Sequence, residues 1–143
     1  MTARELQAWL RAQFPRENER HEWKEWRSLK GNITSHSGED LASYISALAN
    51  MDGGCVVIGV KDQTLDVTGI QDFADYTLEN VAHRLLGKMP GLPSMGLRFE
   101  ARQASDTGAI VWLVHVPRHA LRTPVLAHNR AWQRDGDSLT ELR

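Results

Sequence analysis

Residues 44–62 read Tyr44-Ile45-Ser46-Ala47-Leu48-Ala49-Asn50-Met51-Asp52-Gly53-Gly54-Cys55-Val56-Val57-Ile58-Gly59-Val60-Lys61-Asp62. The stretch carries two periodicities in succession. Leu41, Tyr44, Ile45 and Leu48 recur at i, i+3, i+4 and i+7, the apolar stripe of a helix. Ser37 opens that helix, and Asp40 places an acid where the helix start favours one. Gly53-Gly54 stops it. Cys55–Val60 is an unbroken apolar run of β-branched character, which describes a strand buried on both faces. The helix is expected to cross between two neighbouring strands and pack on Cys55–Val60, which lies inside the sheet.

The flanking sequence supplies the rest of the sheet and its helices. Thr2-Ala3-Arg4-Glu5 is a capping box, followed by Leu6, Trp9, Leu10 and Gln13 or Phe14 at helical spacing and by the breaker Pro15. A short strand is expected over Glu22–Arg27, with Trp23 and Trp26 facing opposite sides. Asp62-Gln63-Thr64 predicts a turn and Leu65–Gly69 a second hairpin strand. Thr77–Lys88 predicts a helix with Leu78, Val81, Leu85 and Leu86 inward, broken by the prolines at Pro90 and Pro93. Leu97, Phe99 and Ala101 alternate with polar residues as a half-exposed strand does. Ile110–Val116 predicts another buried strand, and Val125–Ala127 with Ala131–Arg134 a hairpin around His128-Asn129-Arg130. The expected fold class is α/β (α+β): a single domain with a mixed β-sheet and helices packed on it.

The chain has 143 residues, 41% hydrophobic and 24% charged, which suits one globular domain. Its single cysteine, Cys55, excludes an internal disulfide framework and a cysteine-based zinc site. The start carries no apolar signal core, and no apolar run is long enough to span a bilayer, so the expected compartment is the cytoplasm, with no membrane partner. The net charge of −1 excludes a polybasic protein. The charge is unevenly spread: residues 61–97 hold three Lys+Arg against five acids, and residues 98–143 seven arginines against five acids. Arg122, Arg130 and Arg134 lie close in sequence, and the planar arginine fork suits phosphate.

Other motifs carry less. Gly54 and Gly59 have the spacing of a phosphate-binding loop, but Val60 stands where that loop needs lysine, which argues against a nucleotide site of that kind. His115 and His119 are separated by Pro117 and cannot share a helix face as zinc-binding pairs do. His115 reads as a satisfied strand residue and Cys55 as packing. Glu22 and Lys24 would point the same way from a strand. A carboxylate with a lysine two residues on suits a divalent ion and a developing negative charge, given further acids from Asp62 and from Glu17 or Glu19. Charge alternation on an exposed strand is the plainer reading of the same residues.

Glu22-Trp23-Lys24, the block from Tyr44 to Asp62, Val67-Thr68-Gly69-Ile70, Pro124-Val125 and Ala131-Trp132-Gln133-Arg134-Asp135-Gly136-Asp137-Ser138 together resemble the Schlafen AlbA-type domain. The A-x-x-N-x-x-G-G block is the specific part. The resemblance covers about residues 17–138 of a single domain spanning 1–143. It implies a fold related to Alba chromatin proteins and a module that binds DNA or RNA. In bacteria such a module is usually the N-terminal part of a transcriptional regulator or helicase-related protein, which leaves room for further domains downstream and for a homodimer. The expected phosphate contacts are Lys24, Lys30, Arg122, Arg130 and Arg134, with Trp132 stacking on a base. The RNA-cleaving members imply a second reading: a divalent-metal-dependent endoribonuclease in which Glu17, Glu22 and Asp62 hold Mg or Mn beside Lys24. Binding alone requires no cofactor, and ATP enters only through a label the family carries. Trp23, Trp26, Met51 and Cys55 depart from the family pattern.

Overall fold

The computed structural model describes residues 1–14, 21–29, 32–35, 37–38, 40–61, 64–70, 77–89, 96–118, 124–135 and 138–141, with side chains left undescribed at 27, 28, 134, 135 and 138. Helix α1 (Ala3–Gln13) starts at the capping box, where the Glu5 N–H donates to Thr2 Oγ1 at 3.2 Å and the Thr2 N–H donates to Glu5 Oε1 at 2.9 Å. It buries Leu6 and Leu10. Strand β1 (His21–Lys24) follows, then a short helix α2 (Trp26–Leu29), helix α3 (Leu41–Asn50), strand β2 (Gly54–Ile58) and helix α4 (Leu78–Leu86). Strands β3 (Arg98–Gln103), β4 (Ile110–Val116), β5 (Leu126–Ala127), β6 (Arg130–Asp135) and β7 (Ser138–Glu141) complete the chain.

Two sheets result. The first has four strands in the order β1-β2-β4-β3, and the second three in the order β5-β6-β7. β1 and β2 are parallel neighbours joined through α2 and α3, so the expected crossover is present, while β4 runs antiparallel to both β2 and β3. β2 lies inside the sheet, as its composition requires, with Val57 and Ile58 both fully buried. Its side chains divide between two cores. Cys55 and Val57 pack with α1, Trp23 and Leu113, whereas Val56 and Ile58 pack with Ile45, Leu48 and Trp112 of the α3 side.

Helix α3 is buried all round, from Leu41 to Ala49. It meets β2 and β4 on one side and β5, β6 and β7 on the other, so it is the middle layer between two sheets. The apolar stripe at Leu41, Tyr44, Ile45 and Leu48 was therefore only part of the pattern. The alanines and serines between those residues complete a second packed face, which small side chains allow. The helix begins later than expected, because Asp40 is its N-cap and accepts from the Ser43 N–H at 3.0 Å. It ends where the Gly53 N–H donates back to the Leu48 carbonyl at 2.8 Å. Gly53 has φ 78°, and a Cβ there would lie 2.6 Å from the Val116 carbonyl oxygen, so glycine is the residue this turn requires.

Three other expectations are corrected. The strand expected over Glu22–Arg27 ends at Lys24, and Trp26 begins α2. Trp26 and Leu29, three apart, both enter the α3-side core, with Trp26 edge-on to Trp112 at 5.5 Å. Trp23 and Trp26 do lie in opposite cores. The strand expected over Leu65–Gly69 is reduced to a single bridge between Val60 and Val67, because Leu65 and Gly69 have positive φ (62° and 83°). Leu86, expected to face inward, is 39% exposed, while Val81 and Leu85 are buried. Strand β7 was not expected; Asp135-Gly136 ahead of Leu139 is the turn signal that could have announced it.

Candidate nucleic-acid interface

Pleating places Glu22 and Lys24 on the same side of β1, the side covered by α3. There the Lys24 Nζ lies 3.1 Å from Glu22 Oε1 and donates to the Tyr44 hydroxyl at 3.3 Å. The ammonium also sits over the Tyr44 ring, 4.4 Å from its centroid. Burial works against the charge on Lys24, but Glu22 and Tyr44 outweigh it and hold the ammonium above its ordinary pKa. Glu22 is only 4% exposed. Lys24 is thus committed within the fold, and its expected phosphate contact competes with a buried carboxylate.

The described residues do not by themselves fit a divalent ion. Glu22 Oε1 already faces an ammonium, and no group of three His, Cys, Asp or Glu side chains that could hold a metal occurs among the described residues. Glu17 and Asp62, the other two acids of that reading, lie outside the described residues, as do Lys30 and Arg122. Arg134 has its backbone in β6, and its side chain is not described.

The second sheet is fastened to α3 by Asn50 of the A-x-x-N block and by Ser46, the residue just ahead of it. Asn50 Nδ2 donates to the Val125 carbonyl at 3.0 Å and to the Trp132 carbonyl at 3.1 Å, and Asn50 Oδ1 accepts from the Val125 N–H at 2.6 Å. Ser46 Oγ donates to the Val125 carbonyl at 2.6 Å and accepts from the Trp132 N–H at 3.2 Å. Trp132 is buried, its indole N–H donating to the Ala127 carbonyl at 3.2 Å and its ring packed against Gly38. Its ring belongs to the core of the second sheet and presents no open face for the base stacking expected of it.

The β5–β6 turn is the exposed end of this sheet. His128 and Asn129 both have positive φ (55° and 62°), which is the two-residue hairpin turn that the right-handed strand twist favours. Its geometry is held from below. Asp40, fully buried, accepts from Ser43 Oγ at 2.7 Å and from His128 Nε2 at 2.6 Å. The carboxylate only accepts, so Nε2 of His128 carries the hydrogen. Asn129 and Arg130 stand exposed beside this anchored ring. Lys88, at the end of α4, is joined to the turn through its carbonyl, which accepts from the His128 N–H at 3.3 Å. Sequence reasoning saw the hairpin but missed Asp40, Tyr44 and Lys88 as partners. Asp40 and His128 are 88 residues apart, and no local pattern links them.

On the α1 face, Glu100 gathers His115 Nε2 at 2.9 Å and Arg102 Nε at 2.7 Å, and Arg102 stacks over Trp9 at 3.8 Å. His115 is a satisfied strand residue, as expected. The His115 hydrogen bond, followed by Arg102, holds the Glu100 carboxyl below its ordinary value of 4.5. A lowered folded-state value means that this stability is present above about 4.5 and is lost as pH falls through the folded value. Glu100→Gln is therefore expected to lower stability at pH 7 and to flatten the loss of stability below pH 4.5, as read by urea titrations from pH 3 to 7. Equal slopes for the two proteins below pH 4.5 would show that Glu100 carries none of the acid sensitivity. Burial, then the nearby Glu100 charge, pushes the Cys55 thiol up to about 12, so it is a packing residue and not a nucleophile.

Residues 17–143 match the family described as Schlafen, AlbA_2. No curated protein matches the chain. Among solved structures, the crystal structure of the DIP2311 protein from Corynebacterium diphtheriae is similar, with a TM-score of 0.60 and 18% sequence identity over 87% of this chain. The likeness at that identity is one of fold. The match covers 22% of the DIP2311 chain, so this chain spans about a fifth of that protein's length.

Proposed function

This chain belongs to the Schlafen AlbA_2 family, and from that premise we propose that it is a nucleic-acid-binding module whose described contact surface is the β5–β6 turn. Membership supports a nucleic-acid-related role at the level of the family. The observation that carries the assignment to this turn is Arg130, exposed on a turn that Asp40 and His128 hold in one conformation. A backbone already held in one place gives the Arg130 side chain a fixed point of attachment, so less ordering is left to do when it meets a phosphate. Arg134 and the undescribed Arg122 and Lys30 extend the reading along the same chain. The module is read as one part of a bacterial transcriptional regulator or helicase-related protein acting in the cytoplasm, and the small share of the DIP2311 chain that it matches accords with a modular role.

The test is a titration of labelled single- and double-stranded DNA and RNA, with Mg or Mn present and absent, over a range of salt. Arg130→Ala with Arg134→Ala is expected to weaken binding by a similar factor for unrelated sequences. It is also expected to reduce the salt slope on duplex by about 1.8, at roughly 0.9 per lost phosphate contact. An unchanged slope would remove this face from the interface. Strand scission that depends on the metal and vanishes in Asp62→Asn would instead favour the ribonuclease reading.

A further inference from the structure

An open cavity of about 260 Å³ lies between the end of α4 and the β5–β6 turn, lined by Gly87, Lys88, His128 and Asn129. We propose that this cavity is a binding subsite for a single phosphate group, with the Lys88 ammonium and the Asn129 amide as its ligating groups and Arg130 next in sequence to Asn129. The proposal deepens the nucleic-acid reading and rests on it for the source of the phosphate, which is a backbone phosphodiester; a free phosphate monoester shares the same chemistry.

Size is the first argument. Pockets that enclose a drug-sized ligand occupy about 300–1,000 Å³. A cavity of about 260 Å³ that is open to solvent is smaller than these and leaves room for a phosphate group. Charge is the second. Lys88 and Arg130 are both exposed cations on either side of the turn. The carboxylate nearest in the hydrogen-bond network, Asp40, is fully buried behind its contact with His128 and does not line the cavity. The α4 C-terminus opposes an anion with roughly half a unit of negative charge, which the full positive charge of Lys88 exceeds.

Preorganisation is the third argument. Asn129 has φ 62°, a conformation asparagine tolerates better than most residues. The turn is tethered at two points, because His128 is bonded at its ring to Asp40 and at its backbone to the Lys88 carbonyl. Lys88 therefore meets Asn129 across a gap set by the backbone of both elements. His128 acts as a positioning residue here, and the recognising groups are its neighbours.

The experiment uses the intact chain with Lys88→Gln and Asn129→Gly, the latter chosen because glycine accepts the same positive φ. Arg4→Gln serves as a control, since Arg4 lies on α1, across the four-stranded sheet from this cavity. Binding of a labelled duplex is measured over 50–300 mM salt, and amide shifts are followed by NMR during titration with inorganic phosphate and with AMP. Lys88→Gln is expected to weaken duplex binding up to about eightfold at 0.1 M salt and to reduce the slope by about 0.9, with Arg4→Gln unchanged. Asn129→Gly is expected to weaken binding without changing the slope, because the amide carries no charge. Wild-type duplex binding that neither variant alters overturns the subsite while leaving the nucleic-acid reading intact. Phosphate-induced shifts confined to Lys88, His128 and Asn129, without binding of single- or double-stranded DNA or RNA, uphold the subsite for a free phosphate and overturn the nucleic-acid reading. Absence of both overturns both.

Discussion

Asn50→Leu is expected to destabilise the protein by about 4 kcal/mol and to lower Tm by about 10 °C. Leucine fills nearly the same space but offers no polar atom. The Val125 N–H loses Asn50 Oδ1, and the Trp132 carbonyl loses Asn50 Nδ2. Each buried group left without a partner costs about 1–3 kcal/mol. The Val125 carbonyl keeps Ser46 Oγ, so it adds little. The loss should be local in character. Hydrogen exchange is expected to quicken across Leu126–Glu141, while β2 and β4 keep their protection. A variant within 1 kcal/mol of wild type, or one whose protection falls uniformly, would show that Asn50 does not fasten the second sheet.

Lys24→Met is expected to cost about 3 kcal/mol near neutral pH. Methionine keeps the apolar stem but leaves the Glu22 carboxylate without the Lys24 ammonium. Removing one partner of a buried pair costs about 3–5 kcal/mol, and the lower end applies because Lys24 retains some solvent access and Glu22 has further interactions. The double variant Lys24→Met with Glu22→Leu should recover most of the loss, since an apolar pair of similar volume is often neutral. The folded-state pKa of Lys24 is raised, so its contribution is complete below the ordinary 10.5 and fades as pH rises through the folded value. The gap between wild type and variant should hold from pH 6 to 9 and narrow above 10.5. A gap that stayed constant at high pH would show that the charge on Lys24 does not carry the difference.

The sequence disclosed the elements whose pattern is local. β2 and β4 were legible because an unbroken β-branched run has one stable environment, the inside of a sheet. α1 was legible from its Thr2–Glu5 capping box and the helical spacing of Leu6, Trp9 and Leu10. The boundaries that failed did so where two periods overlap: Trp23 and Trp26 fit an irregular strand on paper, but three-residue spacing from Trp26 to Leu29 made a turn of helix. In the candidate site, the shared face of Glu22 and Lys24 followed from strand geometry. Their partner Tyr44 did not, because its apolar ring already explained its place in the stripe. Asp40, read as a helix-start acid, turned out to hold a turn that the chain reaches only after 88 residues.

Burial of α3 between two sheets has a consequence for the order of assembly. One flank of the helix is covered by β1, β2 and β4, while the other waits for residues 79 to 88 positions downstream, the separations of Ser46–Val125 and Asp40–His128. Closing loops of that length is slow, so this chain is expected to fold more slowly than a helical domain of equal size. During synthesis from the N-terminus, Ser43, Ser46, Ala47 and Asn50 emerge long before Trp132. The nascent chain thus passes through an interval with a bare helix flank and an unpaired Asn50 amide, and that interval is when a chaperone or a second nascent chain would find it.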